Sequence, residues 1–87
     1  MTILYSKRFR KNYKKLTLKI RERFKEHRDI FFSNPFDSLL DNHQLHGEYT
    51  GCRSINVSGD YRAIYYHERA DVVRFIAIGT HHELFGT

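Results

Sequence analysis

The chain has 87 residues, enough for one domain with one modest core, and its hydrophobic content of 40% and aromatic content of 15% exclude a disordered chain. A single cysteine, Cys52, excludes an internal disulfide and a cysteine-based zinc site. No apolar run is long enough to cross a bilayer and no signal peptide is present, so we expect one cytoplasmic domain over residues 1–87 with no membrane partner.

The formal charge of +5 is unevenly distributed along the chain. Residues 1–28 carry eleven lysines and arginines against two acids, a local charge of +9, whereas residues 29–87 carry −4. A surplus of one sign attracts polyanions and makes their binding sensitive to salt. A solvated helix surface is the other interpretation, but the scarcity of acidic partners favours binding of a polyanion.

The N-terminal segment is predicted to form a short strand and a basic helix. Thr2 to Tyr5 is rich in β-prone residues and could form an edge strand. Ser6 suits the N-cap of a helix over Lys7 to Lys15, with lysines and arginines between apolar residues at helical spacing. Those apolar residues are Phe9, Tyr13 and Leu16.

A second helix is predicted from Thr17, which can cap it, to about Phe32. It ends there because the residue before a proline avoids the helical region, and Ser33-Asn34-Pro35 follows. Phe36 to Asn42 is then a loop or a short turn of helix. The apolar stripe of this helix is more typical of a core face than of a ligand site, and it comprises Ile20, Phe24, His27 and Phe31.

The C-terminal half is predicted to form three β-strands. They span Cys52 to Val57, Tyr61 to His67 and Val72 to Ile78, with turns at residues 58–60 and 68–71 and a turn or short strand between two glycines at 47 and 51. Short connections imply antiparallel neighbours. The sequence therefore predicts an α+β fold, in which a short N-terminal strand and two basic helices precede a C-terminal antiparallel sheet. We expect Cys52 to be a half-buried strand residue rather than a nucleophile.

Histidines are concentrated after the helices, in two close pairs. One pair is His43 and His46, and the other is His81 and His82. Imidazole is the side chain whose proton moves near neutral pH, so a basic protein with paired histidines suits acid–base catalysis on a phosphodiester. A transition-metal site made by these four histidines is an alternative, since a His-x-x-His spacing is compatible with it, although no purpose-built third ligand is evident.

Three motifs resemble the RelE/ParE superfamily of bacterial toxins, and most closely its YafQ-type branch. They are His43-Gln-Leu-His-Gly, then Gly51-Cys-Arg-Ser-Ile-Asn-Val-Ser-Gly-Asp-Tyr-Arg-Ala-Ile-Tyr, then Ile78-Gly-Thr-His-His-Glu-Leu-Phe-Gly. The resemblance covers nearly the whole chain. It implies the toxin of a type II toxin–antitoxin system, and many members are endoribonucleases that cut mRNA in the ribosomal A site without a metal or other cofactor.

The resemblance also implies site residues. The catalytic set of the branch falls on His43, Asp60, His81 and the aromatic Phe85, while a further catalytic histidine of the branch falls on Asn56. Asparagine can form hydrogen bonds but cannot exchange a proton near neutral pH. Either His46 or His82 then compensates, or the activity is reduced, or the target differs.

The chemistry of RNA cleavage adds two cations to this set. Arg53 and Arg62 can stabilise a charged phosphorane, because guanidinium pairs with phosphate through two bonds. Phe85 can stack on an exposed base, and Asn56 can contact RNA through its amide. Each has a structural alternative: Arg53 can pair with a neighbouring group, Arg62 can be an exposed strand residue, Asp60 can serve the turn alone, and Phe85 can fill the core.

The expected partners are a cognate acidic antitoxin, mRNA and the ribosome. An acidic segment that folds on binding would match the +9 charge of residues 1–28, docking at the Thr2 to Tyr5 edge or on the exposed helix surface. A ParE-like toxin that inhibits DNA gyrase without cleaving RNA is the alternative function. The histidine pairs favour the nuclease, because a purely binding toxin needs no proton carriers.

Overall fold

The computed structural model describes residues 1–86, in which a five-stranded sheet carries two longer helices on one face. The strands are β1 (Thr2–Tyr5), β2 (His43–Gln44), β3 (Arg53–Ser58), β4 (Tyr61–Arg69) and β5 (Val72–Thr80). The helices are α1 (Lys7–Lys14), α2 (Leu18–Ser33) and α3 (His81–Phe85), with 3-10 turns at Ser38–Leu40 and Gly47–Tyr49. The predicted α+β class and order of elements are confirmed.

The sheet has the strand order β1-β5-β4-β3-β2. Strands β2 to β5 are joined in antiparallel pairs, as the short connections predict. Strand β1 instead pairs in parallel with β5, so that the first and last strands of the chain lie side by side. Within the described residues, no helix has the length and apolar character that spanning a bilayer requires.

The predicted caps position both long helices. Ser6 Oγ accepts a hydrogen bond from the backbone N–H of Phe9 at 3.0 Å and donates one to Ile76 O at 3.1 Å, so the start of α1 is fixed to β5. Thr17 Oγ1 accepts from the N–H of Ile20 at 3.3 Å at the start of α2. Helix α1 then packs over β5 and α2 over β3.

Both faces of the sheet carry apolar residues. Successive residues of a strand point to opposite faces, so neighbouring residues contribute to two different cores. Ala63 and Tyr65 belong to the larger core beneath α1 and α2, together with Phe9, Phe24 and Phe31. Ile64 lies on the other face, in a smaller core with Leu45, Tyr49, Ala77 and Leu84. We call these the helix face and the second face. The predicted stripe of α2 is confirmed as a core face, and His27 on it is half-buried, with Nδ1 2.6 Å from Asn56 O.

Several boundaries differ from the sequence prediction. Strand β4 extends to Arg69 and β5 to Thr80, which leaves a turn of two residues between them. The two-residue strand β2 and helix α3 were not predicted at all. Helix α3 has only five residues, too few to show helical periodicity, and its Leu84 packs on the second face, whereas β2 is the edge strand beside β3.

Candidate active site

A cavity of about 380 Å³ opens on the second face of the sheet. It brings together five of the eight predicted site residues, because β2, β4 and α3 converge there. Its lining comprises Asp41, His43, Leu45, His46, Arg62, His81 and Phe85. The two histidines favoured as catalysts are therefore 38 positions apart in sequence, yet they face the same space.

Arg62 is the fixed cation of this cavity. Arg62 is only 8% exposed, so the alternative prediction that it is an ordinary exposed strand residue is wrong. The guanidinium donates to Ser54 Oγ at 2.7 Å and to Ser54 O at 3.0 Å, and to Asp41 O at 2.7 Å and Asp41 Oδ2 at 3.2 Å. Those bonds occupy four of the five N–H groups of an arginine, leaving one on Nη1. Burial lowers the pKa of Arg62 from its usual value, and the carboxylate of Asp41 counteracts that effect.

Asp41 adopts a left-handed backbone conformation, with φ 44° and ψ 50°, and is the one non-glycine residue with positive φ among residues 1–86. This conformation directs its carbonyl oxygen toward two side chains. It accepts from Arg62 Nη2 and lies 3.0 Å from Nδ1 of His43. Strained backbone of this kind is concentrated at functional sites in proteins, and here it lies at the cavity wall.

The hydrogen bonds at Asp41 determine which nitrogen of His43 carries the proton. Arg62 Nη2 lies 3.3 Å from His43 Nδ1, but both of its hydrogens are already directed to Asp41 O and Ser54 O at shorter distances. His43 Nδ1 is therefore the donor to Asp41 O at 3.0 Å. In the neutral ring this leaves Nε2 with its lone pair, which is the state that a general base requires.

His81 is the first residue of α3, and the helix cap fixes its position. Thr80 Oγ1 accepts from the N–H of Glu83 while the Glu83 carboxylate accepts from the N–H of Thr80, which forms a capping box. The backbone N–H of His81 donates to Asp60 O at 2.9 Å. Asp60, in the β3–β4 turn, thus anchors α3 through its carbonyl, and it is not among the residues that line the cavity.

Phe85 links the cavity to helix α1. Its ring lies 4.8 Å from the ring of His81 and 5.7 Å from that of Tyr49, measured between centroids. The Tyr49 hydroxyl accepts a hydrogen bond from Arg8 at 2.8 Å, and the Arg8 guanidinium lies over the Tyr49 ring. Phe85 is half-buried rather than fully buried, so part of its ring remains available in the cavity.

The remaining predicted residues lie outside the cavity. Arg53 points to the helix face, where Nε donates to Asn42 Oδ1 at 2.8 Å and the guanidinium lies 5.2 Å from the ring centre of Phe36. Asn56 is paired with Arg62 across β3 and β4, which places the two on the same face. The Asn56 amide donates to Gly59 O at 3.0 Å and so supports the turn that carries Asp60.

Within residues 1–86, no group of three histidine, cysteine, aspartate or glutamate side chains is placed to hold a metal ion. His46 lines the cavity as an exposed residue, and His82 is exposed on α3. The cavity combines three imidazoles, one anchored guanidinium and one aromatic ring, a set suited to proton transfer next to a negatively charged group.

Comparison with known proteins identifies the family and the fold of the chain. The sequence model of the family described as the bacterial toxin of type II toxin–antitoxin system, YafQ, matches residues 1–86. The structure of YafQ from E. coli superposes with a TM-score of 0.80 at 28% identity, over 97% of each chain. No curated protein sequence gives a significant match.

Two similar structures are complexes. The E. coli DinJ–YafQ toxin–antitoxin complex contains a chain that matches with a TM-score of 0.77 at 28% identity, over 97% of this chain and 96% of that one. The archaeal RelE–RelB complex from Pyrococcus horikoshii contains one that matches with a TM-score of 0.71 at 26% identity, over 91% of this chain and 92% of that one.

Proposed function

This chain belongs to the YafQ family of bacterial toxins of type II toxin–antitoxin systems, and we propose that it is an endoribonuclease that cleaves mRNA in the ribosomal A site without a metal. The observation that carries the proposal is the shared cavity of His43, His81 and Arg62. Two proton carriers and a cation suit phosphodiester cleavage by an internal hydroxyl, because one group can take the proton of the attacking oxygen, one can protonate the leaving oxygen, and the cation can stabilise the phosphorane.

In the proposed reaction, the 2′-oxygen of the RNA attacks its adjacent phosphorus while Nε2 of His43 takes the hydroxyl proton. The bond from phosphorus to the 5′-oxygen breaks, and His81 donates a proton to that leaving oxygen. The products are a 2′,3′-cyclic phosphate and a free 5′-hydroxyl. Arg62, with one N–H not engaged by Ser54 or Asp41, stabilises the phosphorane.

Neighbouring residues position the RNA in this proposal. Phe85 stacks on an exposed base, and Arg8 contacts the backbone beside it, since Arg8 already lies against Tyr49 next to Phe85. The charge of +9 in residues 1–28 provides the attraction to the ribosome and its RNA. An antitoxin partner is supported by the complexes of similar toxins with DinJ and with RelB.

The test is cleavage of mRNA by the purified chain with and without translating ribosomes, in the presence of EDTA at a magnesium level that keeps ribosomes intact. We expect ribosome-dependent fragments with cyclic phosphate ends, and a loss of about 10²–10⁴-fold for His43→Ala. Exposed His67→Ala is the matched control. Intact mRNA together with inhibited DNA gyrase would support the ParE-like function instead.

A further inference from the structure

His43, the proposed general base, is carried by a segment with few contacts of its own to the sheet. Strand β2 has only two residues, which pair with Ser54 and Arg53 of β3. The His43 side chain is 51% exposed, and its ring donates to Asp41 O within the same segment. The place of the imidazole in the cavity therefore depends on what holds the backbone of residues 41–43.

Asn42 holds this backbone from the helix face of the sheet. Its Nδ2 donates to Pro35 O and to the Tyr65 hydroxyl, both at 2.8 Å, and its Oδ1 accepts from Arg53 Nε at 2.8 Å. Both N–H groups of the amide and its oxygen are therefore engaged, which fixes the orientation of the side chain. A carboxylate or an alkyl group at this position could not make the same three bonds.

The partners of Asn42 are fixed in turn by the core and the sheet. Tyr65 is 1% exposed, and its ring lies 4.8 Å from that of Phe31 on α2, measured between centroids. Arg53 is the first residue of β3 and pairs with Tyr65 of β4. The amide thus links the segment to side chains that are themselves held in place, which is the kind of support that a precisely placed functional group needs.

We propose that Asn42 is a positioning residue for RNA cleavage: it holds His43 in the cavity, while the amide itself touches no RNA. The inference rests on the proposed function, because it assumes that His43 takes the proton of the 2′-hydroxyl. From the cavity side, Arg62 donates to Asp41 O and to Asp41 Oδ2. Two networks therefore hold the segment from opposite faces of the sheet.

Arg53 and Tyr65 act through Asn42 in this arrangement. The predicted role of Arg53 is contact with RNA, whereas its Nε is engaged with the amide on the face away from the cavity. Removal of its side chain should therefore slow the chemical step and leave the binding of RNA unchanged. A phosphate ligand would show the opposite pattern, because loss of a cation that contacts phosphate weakens binding.

The first measurement follows the His43 ring in the free protein and needs no RNA. With isotope-labelled histidine at about pH 8.5, where free imidazole is neutral, NMR shows which ring nitrogen carries the proton. We expect the Nδ1–H form in the parent and a mixture of tautomers in Asn42→Ala, because a loosened segment no longer keeps Asp41 O next to Nδ1. Gln44→Ala, which removes an exposed amide from the same strand, is the matched control and should preserve the parent form.

The second measurement is single-turnover cleavage of ribosome-bound mRNA at increasing concentrations of the chain. Asn42→Ala should lower the rate at saturation by about ten-fold or more and change the half-saturating concentration by less than two-fold, because misplacing a reacting group slows chemistry rather than binding. Arg53→Ala should behave alike, and the double variant should be no slower than the slower single variant. Tyr65→Phe, which keeps the ring in the core, should show a smaller loss of the same kind.

A parent-like ring and a parent-like rate in Asn42→Ala overturn the proposal. A raised half-saturating concentration in Arg53→Ala, or losses that multiply in the double variant, overturn it as well, since both indicate direct contact with RNA. If circular dichroism shows that Asn42→Ala is unfolded, Tyr65→Phe decides through the same two measurements. A parent with the Nδ1–H form that cleaves no mRNA on ribosomes contradicts the proposed function, whereas the change of tautomer tests the hold on His43 separately.

Discussion

Asp41 offers the sharpest test of how the cavity that His43, His81 and Arg62 line is organised. Its carbonyl accepts hydrogen bonds from His43 and Arg62, and its carboxylate accepts a further bond from Arg62. Three substitutions separate these contributions. Asp41→Gly removes the carboxylate but adopts the left-handed conformation freely, Asp41→Asn preserves a short polar side chain, and Asp41→Ala loses the carboxylate and also disfavours the conformation.

The expected magnitudes follow from the exposure and the backbone angles. The Asp41 side chain is 74% exposed, so its ion pair with Arg62 contributes at most about 1 kcal/mol. A left-handed conformation costs an ordinary L-residue about 1–2 kcal/mol, which corresponds to a roughly 5–30-fold change in an equilibrium. We therefore expect Asp41→Asn and Asp41→Gly to cleave RNA within a few-fold of the parent, and Asp41→Ala to be about ten-fold slower.

The assay is single-turnover cleavage of ribosome-bound mRNA, with thermal unfolding of each variant measured alongside. Asp71→Ala, in the exposed β4–β5 turn, controls for loss of a surface carboxylate. Equal losses in Asp41→Gly and Asp41→Ala would show that the carboxylate matters and the carbonyl does not. Full activity in Asp41→Ala would refute the assignment of the left-handed carbonyl to the orientation of His43.

Three further predictions concern individual side chains. His81→Ala should slow cleavage by about 10²–10⁴-fold while the exposed His82→Ala stays near the parent rate, and the reverse pattern would show that His82 is the acid. Asn56→His should raise the single-turnover cleavage rate by less than two-fold, because Asn56 does not line the cavity and its amide holds Gly59; a ten-fold gain would contradict this. Burial raises the pKa of the Cys52 thiol, so iodoacetamide should alkylate it more slowly than free cysteine at pH 8, with the deficit shrinking at higher pH; faster alkylation would contradict its placement.

Local sequence patterns were sufficient for the main elements of the fold. Both helix caps, the aromatic stripe of α2 and three strands follow from residue type and spacing, because these depend on neighbours a few positions away. Helix α3 escaped prediction because five residues span little more than one turn. The pattern Thr80-x-x-Glu83 is a capping box, however, and it was a signal in the sequence that could have located the start of this helix.

The cavity could not be predicted from local sequence patterns, because residues far apart in the chain form it. The strand pattern alone allows Arg62 to be an exposed residue, because it does not show which faces of the sheet are covered; in the structure, α3 and the 45–52 segment cover the face that carries Arg62. Strand register decides which arginine joins the histidines: Arg62 pairs with Asn56, and Arg53 pairs with Tyr65 on the other face. The role of Asp41 depends on a backbone angle, which residue identity permits but does not specify.

The basic residues 1–28 and the buried Arg62 contribute positive charge in different ways. The +9 segment forms helices on the face away from the cavity, so its field acts at long range and is weakened by salt. In the proposed reaction, Arg62 acts on the phosphate at short range, and its burial and fixed hydrogen bonds make that effect less sensitive to salt. Arg8 connects the two regions, since it belongs to α1 yet contacts Tyr49 beside Phe85. Salt should therefore slow the capture of RNA far more than the cleavage of RNA already bound, because only the first step depends on the exposed cations.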